Sequence, residues 1–175
     1  RYRVAMPRSV DHTVSLDVPV DVLYQRFTTV EYWEDLVGFW KSCNLDTELR
    51  ELSTDDSGTS VHFAHIMSAK DLPSIARKVV PGKFVVMREQ HFDPFDASAE
   101  RAGGHYTARV SAPVDISGQC SLASTPSGSQ LQLTSSCRIK VPIIGGKLEP
   151  LLATAVKNLF TTEGNFTVEW IAGHS

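Results

Sequence analysis

The sequence predicts an α+β domain in which a curved, seven-stranded antiparallel sheet is wrapped around one long C-terminal helix. Two patterns in the chain support this architecture. Most of the sequence consists of short segments that alternate apolar and polar residues, separated by residues that favour turns. The last part instead repeats apolar residues at helical spacing over about 25 residues. A helix of this length needs a broad apolar surface to lie on, and a curved sheet provides one.

The first strand is predicted at residues 8–18, where apolar side chains fall on every second position. Pro19 ends this alternation, because proline has no N–H to donate to a neighbouring strand. From Val20 to Trp40 the apolar residues recur at helical spacing, and the threonines at 28–29 indicate a break in this stretch. Two short helices are therefore predicted after the first strand.

Six further strands are predicted, because alternating segments follow one another with turn signals between them. The segments 53–58 and 125–128 are the clearest turns, and Pro73 favours a short helical turn after the second of these strands. The final helix is predicted after the glycines at 145–146, with Pro150 in its opening turn, where N–H groups lack intrahelical partners. The six strands cover residues 43–52, 59–68, 84–92, 105–111, 114–124 and 130–141.

Composition limits the class of protein. The chain has 175 residues, of which 42% are hydrophobic, and this is enough for the core of one domain. The domain is predicted at residues 8–172, and residues 1–7 are predicted to be a leader or cloning remnant. A formal net charge of -3 argues against a nucleic-acid partner. No run approaches the roughly 18 apolar residues of a membrane span, so stable membrane insertion is not expected. Three cysteines at no metal-ligand spacing indicate a reduced, cytoplasmic environment.

Three segments at structural joints carry a family resemblance. They are residues 71–78 leading into Phe84, residues 141–149 before the final helix, and the closing residues 166–170. With this order of elements, the chain resembles the START-like (SRPBCC, helix-grip) superfamily, which includes polyketide cyclases and the birch-pollen-allergen group. It is most similar to the uncharacterised subfamily called domain of unknown function 2505. The resemblance covers residues 10–170 and implies a cavity between helix and sheet for lipids, polyketides or sterols, with no catalytic residues to carry over.

Side-chain size in the last predicted hairpin supports a cavity independently of the resemblance. On one face of its first strand, Gly118 and Cys120 lie between Ile116 and Leu122, and the partner strand has Ser135 in its middle. Protein interiors are densely packed, so something must fill the space above these small residues. Either the final helix presses close to them, or a ligand occupies the space.

Three polar residues fall among apolar ones. Glu163 lies on the apolar stripe of the final helix, where it either pairs with an arginine or lysine of the sheet, meets a polar head group, or acts as a general acid. His65 shares a strand face with apolar residues, which favours a hydrogen-bonded core histidine over a catalytic base. Arg88 lies on a face of mixed character, which is predicted to be solvated; the alternative places Arg88 in the cavity as an anion-binding group.

The predicted function is binding or carriage of a lipid-like or polyketide-like molecule in a hydrophobic cavity. The alternative is a cyclase- or hydratase-like enzyme in the same cavity, with Glu163, His65 and Arg88 converging on one point. Catalytic residues, a metal site and cofactors are not predicted, because the histidines have no local ligand spacing and no nucleotide-binding motif appears. Solid packing under the helix would argue against the carrier hypothesis. The predicted ligand-binding residues are Trp33, Trp40, Phe63, His65, Arg88, Tyr106, Phe160, Glu163 and Trp170.

Overall fold

The computed structural model describes residues 8–80 and 82–174, and it contains the predicted elements in the predicted order. The leader predicted at 1–7 lies outside the described residues. Two short helices follow the first strand, and a long helix closes the chain. The strands are β1 (Arg8–Leu16), β2 (Asp46–Asp55), β3 (Gly58–Ser68), β4 (Lys83–Phe92), β5 (Arg101–Val110), β6 (Val114–Thr125) and β7 (Gly128–Ile139); the helices are α1 (Val20–Phe27), α2 (Val30–Ser42) and α3 (Ile144–Gly173).

All seven strands form one curved antiparallel sheet, in the order β1-β7-β6-β5-β4-β3-β2. Side chains alternate between its two faces, so that Arg88 and Gln90 of β4 are buried on the inner face, which α3 covers. Two short 3-10 turns, Ala69–Asp71 and Ala76–Lys78, connect β3 to β4. Among the described helices, none combines the length and the apolar content needed to cross a bilayer.

Strand β5 begins four residues earlier than predicted, because Gly103 and Gly104 belong to the strand rather than to the preceding loop. Gly104 is required there by a close approach of the backbone. A Cβ atom at this position would collide with the carbonyl oxygen of His91 on β4 and with the sulfur of Cys120 on β6. Gly104, which the sequence suggests as part of a turn, therefore lies inside the sheet at a point where neighbouring strands leave no room for a side chain.

Helix α3 has 30 residues and is longer than predicted, because it begins at Ile144. At 1.5 Å per residue its length is about 45 Å. Pro150 consequently lies in the second turn and not in the opening turn, and it removes one intrahelical hydrogen bond there. Gly145 brings the first turn against β7, since a Cβ atom at this position would collide with the carbonyl oxygen of Ile139.

An aromatic cluster joins α1 and α2 to the sheet and to α3. The ring of Phe27 stacks on Phe92 with centroids 5.1 Å apart, and Trp33 lies 5.5 Å from Phe63. Tyr32 connects the helices through a 2.7 Å hydrogen bond between its hydroxyl and that of Thr167 on α3. The Thr167 hydroxyl donates to the carbonyl of residue 163, so Tyr32 is the donor in this pair. These contacts fix the C-terminal half of α3 over the sheet.

Candidate ligand-binding site

An ion pair between Arg88 of β4 and Glu163 of α3 lies in the middle of the interior. Two parallel hydrogen bonds join the side chains, Nη1 to Oε1 at 2.5 Å and Nη2 to Oε2 at 2.8 Å. The Trp40 indole of α2 donates to the same Oε1 at 3.0 Å. Glu163 thus pairs with an arginine of the sheet, the first of its predicted alternatives. The prediction that Arg88 is solvated is wrong, because α3 covers this face and leaves the side chain only 6% exposed.

Aromatic rings enclose the guanidinium group of Arg88. Its Cζ lies 5.4 Å from the ring centroid of Phe63 and 5.2 Å from that of Phe160, within the range of cation–π attraction. Burial acts to lower the pKa of Arg88, but the charge and hydrogen bonds of Glu163 raise it overall. Burial acts to raise the pKa of Glu163, but the charge of Arg88 and the hydrogen bonds from Arg88 and Trp40 lower it. Both groups are therefore charged at neutral pH.

Gly164 allows Glu163 to reach this position. A Cβ atom on Gly164 would lie 2.6 Å from the Cγ2 of Val14 on β1, too close for any side chain there. The absent side chain permits α3 to lie against the edge strand. This contact places the next residue toward the N-terminus, Glu163, over the sheet at the level of Arg88.

His65 of β3 is a buried histidine, 3% exposed. Its Nδ1 lies 3.0 Å from the hydroxyl oxygen of Thr47, and that hydroxyl is 3.1 Å from the carbonyl of Leu45. If the one proton of Thr47 goes to the carbonyl, Nδ1–H must donate to Thr47, and Nε2 is left as an acceptor. Among the described residues this Nε2 has no partner. Burial, followed by the charge of Arg88, lowers the pKa of His65 to about 4, so the ring is neutral.

Tyr106 of β5 fills the space above the small residues of the β6–β7 hairpin. It lies opposite Gly118 in the β5–β6 ladder, and a Cβ atom on Gly118 would collide with its ring. Its hydroxyl donates to that of Ser135 on β7 at 2.5 Å. Phe160 of α3 packs edge-on against the tyrosine, with ring centroids 5.2 Å apart. The predicted choice between helix and ligand is therefore corrected: a tyrosine from the neighbouring strand fills the space, and the helix covers that tyrosine.

A cavity of about 30 Å³ remains beside the ion pair. This is about the volume that one water molecule occupies in the liquid. Phe92, Leu133 and Phe160 contribute apolar walls, while Arg88 and Gln90 contribute polar groups. This space is too small for an acyl chain.

The structure divides the predicted site residues into three groups. Four line the small cavity, namely Trp33, Arg88, Phe160 and Glu163. Four others, Trp40, Phe63, His65 and Tyr106, surround the ion pair or pack against residues that do. Trp170 is separate from the cavity, because its indole donates to Asp35 of α2 at 2.8 Å. Gln90, Tyr32 and Thr167 also line the cavity and were not predicted; for Gln90 the available signal was its position two residues from Arg88.

Comparison with known proteins places the chain in a family. A family profile described as "Protein of unknown function (DUF2505)" matches residues 11–171. The chain belongs to this family. The resemblance predicted from the sequence is thereby confirmed. The chain is also similar to uncharacterized protein Rv0481c of Mycobacterium tuberculosis and uncharacterized protein Mb0491c of Mycobacterium bovis. Each is 29% identical over 180 residues, covering 97% of this chain and 99% of its own.

Solved structures show which fold this DUF2505 protein shares. TTHA0849 from Thermus thermophilus superposes with a TM-score of 0.60 at 14% identity, covering 96% of this chain and 99% of its own. A START superfamily protein from Mycobacterium smegmatis has a TM-score of 0.50 at 12% identity, covering 93% of this chain and 98% of its own. These similarities confirm the predicted helix-grip, START-like fold.

Proposed function

We propose that this protein binds a small, neutral, largely apolar molecule between the sheet and α3, with the polar group of the ligand at the Arg88–Glu163 pair. The pair itself carries the proposal. A desolvated ion pair contributes little to stability compared with well-packed apolar residues of the same volume. Stability alone therefore gives no reason to keep two charges between Phe63 and Phe160. The fold supports the same proposal, because one neighbour is a START superfamily protein.

The charges of the pair favour a neutral polar group on the ligand. Arg88 is already neutralised by Glu163, so a carboxylate arriving at the guanidinium would be repelled by the Glu163 carboxylate. The Nε–H of Arg88 is buried and has no acceptor among the described residues. A hydroxyl or carbonyl oxygen could accept from this N–H without adding a charge. An alcohol or ketone is therefore expected to bind better than a fatty acid of equal length.

Binding requires more space beside the ion pair than the cavity of about 30 Å³ offers. A ligand must therefore displace Phe160 or Tyr106. The N-terminal half of α3 is the more easily moved part, since Leu151 is 48% exposed there. The C-terminal half is held to α2 by the Tyr32–Thr167 and Trp40–Glu163 hydrogen bonds. We propose that residues 144–160 of α3 move away from the sheet and take Phe160 with them, while the part of α3 from Glu163 onward stays in place.

Displacement of the neutral fluorescent dye Nile red tests this proposal. Decanol should displace the dye at concentrations at least tenfold lower than decanoate does at neutral pH. The double variant R88M/E163L replaces the pair by apolar residues of similar size and removes the Nε–H donor of Arg88, so it should bind decanol at least tenfold more weakly than the wild type does. The proposal would be excluded if neither decanol nor decanoate bound saturably and native mass spectra contained only the protein without a ligand.

The geometry supports ligand binding better than it supports the alternative of a cyclase- or hydratase-like enzyme. Both oxygens of Glu163 already accept hydrogen bonds, and its lowered pKa leaves it without a proton to give. His65 lies on the same face of the sheet, opposite Val86, and its neutral ring offers only an acceptor at Nε2. General acid catalysis needs a group that holds a transferable proton near the reacting atom. This arrangement lacks such a group among Glu163, His65 and Arg88.

A further inference from the structure

The outer face of the sheet, opposite α3, carries a polar groove of about 330 Å³. The groove is lined by Ser60 and His62 of β3, Glu89 and His91 of β4, and His105, Thr107 and Arg109 of β5. Three imidazoles that are far apart in the sequence therefore meet on three neighbouring strands. His91 lies directly opposite His105 in the β4–β5 ladder, and their ring centroids are 5.1 Å apart.

A carboxylate stands beside this histidine pair. Asp93 follows His91 at the spacing that places both side chains on the same face of an extended chain. The distance from Nε2 of His91 to Oδ1 of Asp93 is 3.4 Å. Two ligand atoms on one tetrahedral Zn²⁺ are about 3.3–3.4 Å apart when each metal bond is about 2.0–2.1 Å. Two imidazole rings on the same ion have centroids on the order of 5 Å apart. Both observed separations agree with these values.

Ser60 supplies a partner for the other nitrogen of His91. Its hydroxyl oxygen lies 2.8 Å from Nδ1. In the tautomer in which Nδ1–H donates to Ser60, the lone pair of Nε2 points toward the Asp93 carboxylate, and a cation can bind between these two acceptors. A hydrogen bond from the remote ring N–H is the usual support of a metal-binding histidine.

We propose that His91, His105 and Asp93 bind one divalent transition-metal ion such as Zn²⁺ at the end of this groove, with Ser60 as a positioning residue. His105 is exposed, and its ring completes the set by turning about its side-chain torsions. Imidazole and carboxylate ligands suit zinc, and an open fourth position would face the groove. This site is separate from the interior and does not depend on the proposed function.

Among the described residues, the one set of three donors whose ligand atoms already lie within 4.8 Å of one another is Glu31, Asp35 and His174, and all three are exposed. The donors of His91, Asp93 and His105 come that close only after the His105 ring turns. The ring of His174 stacks on the ring of Trp170. The Nδ1 of His174 lies 2.7 Å from the carbonyl oxygen of Trp170 and is therefore engaged in a hydrogen bond. This group provides the competing location in an experiment, and H174N provides the matched control.

The experiment uses chain without an affinity tag, freed of metal by chelator dialysis. Calorimetric titration with Zn²⁺ should give one ion per chain, and Co²⁺ should give the visible absorption of tetrahedral coordination. H91N and H105N should each weaken the Zn²⁺ affinity at least tenfold, and S60A should weaken it about tenfold. H174N should leave the affinity unchanged. Loss of binding in H174N but not in H91N, or no saturable binding to the wild-type chain below about 0.1 mM Zn²⁺, would overturn the proposal.

Discussion

Tyr106 and Gly118 face each other across β5 and β6, and the ring of the tyrosine lies directly over the glycine. Because Gly118 has no side chain, the ring of Tyr106 can occupy the space over β6 that would otherwise be a cavity. With glycine at 118 the ring fits close to the backbone of β6, and its hydroxyl reaches Ser135. Any larger residue would lift the ring toward Phe160 and α3.

The variant G118A should therefore destabilise the protein by about 1–3 kcal/mol, the usual cost of adding atoms to a packed core. The added methyl group meets both the Tyr106 ring and the carbonyl oxygen of Thr134, which is backbone and moves little. Urea denaturation measures the change. G38A on α2 is the control, because a Cβ atom there meets nothing within 4 Å, and it should be neutral or stabilising. Equal effects of the two substitutions would contradict the described packing.

The hydrogen bond between Tyr106 and Ser135 should be visible in a double-mutant cycle. Y106F leaves the Ser135 hydroxyl buried without this donor and should cost about 1–2 kcal/mol. S135A removes the acceptor, and the double variant should be more stable than the sum of the two single changes predicts. Strict additivity would show that the two hydroxyls do not interact.

Removal of one member of the buried ion pair should be strongly destabilising. E163A leaves Arg88 charged between two aromatic rings and should cost about 3–5 kcal/mol. R88M/E163L removes both charges and should recover most of this stability. Thermal and urea unfolding of the wild type and both variants compare the three states. A double variant as unstable as E163A would show that shape, and not an uncompensated charge, determines the loss.

Stability should fall as the pH falls from about 6.5 to about 4. Burial lowers the pKa of His65 from 6.5 to about 4, so between these values the unfolded chain binds a proton that the folded chain does not. The folded state is therefore favoured above this window and loses stability within it, by up to about 3 kcal/mol. His12 has a lowered pKa as well and contributes in the same direction.

The variant H65N isolates the contribution of His65 to this pH dependence. Its amide can still donate to Thr47 but does not titrate, so the slope of unfolding free energy against pH should flatten between 4.5 and 6.5 while the His12 contribution remains. Below about 4.5 the carboxylates begin to take up protons, and Glu163, whose pKa is lowered, adds a separate loss there. Identical slopes for H65N and the wild type in the upper window would refute the assignment to His65.

The sequence predicted the elements well because most of them carry a local signal. The alternation of β1 and the helical spacing of α3 lie within single segments, and both were found within a few residues. The prediction that Arg88 is solvated was wrong because the residues around it carry no clear local signal. Both faces of β4 mix apolar and polar residues, and the choice between them depends on Glu163, which lies 75 residues away in the sequence.

The site depends on strand register, which the sequence does not display. Small residues at Gly118 and Ser135 correctly indicated a space in the hairpin, but only the pairing of β5 with β6 places Tyr106 in it. The histidines of the outer groove were excluded as metal ligands from their spacing along the chain. Strand pairing then brought His91 and His105 face to face. Contacts between neighbouring strands thus carry the information that local patterns lack.

The sheet order also has a consequence for how the chain is made. β1, at the start of the sequence, forms its ladder with β7, so that Arg8 lies opposite Cys137. During synthesis the amphipathic strand β1 therefore stays unpaired until β7 has also left the ribosome. Such a distant closure slows folding and exposes an unpaired edge to other nascent chains. Expression at low temperature or with chaperones should consequently improve the yield of native protein.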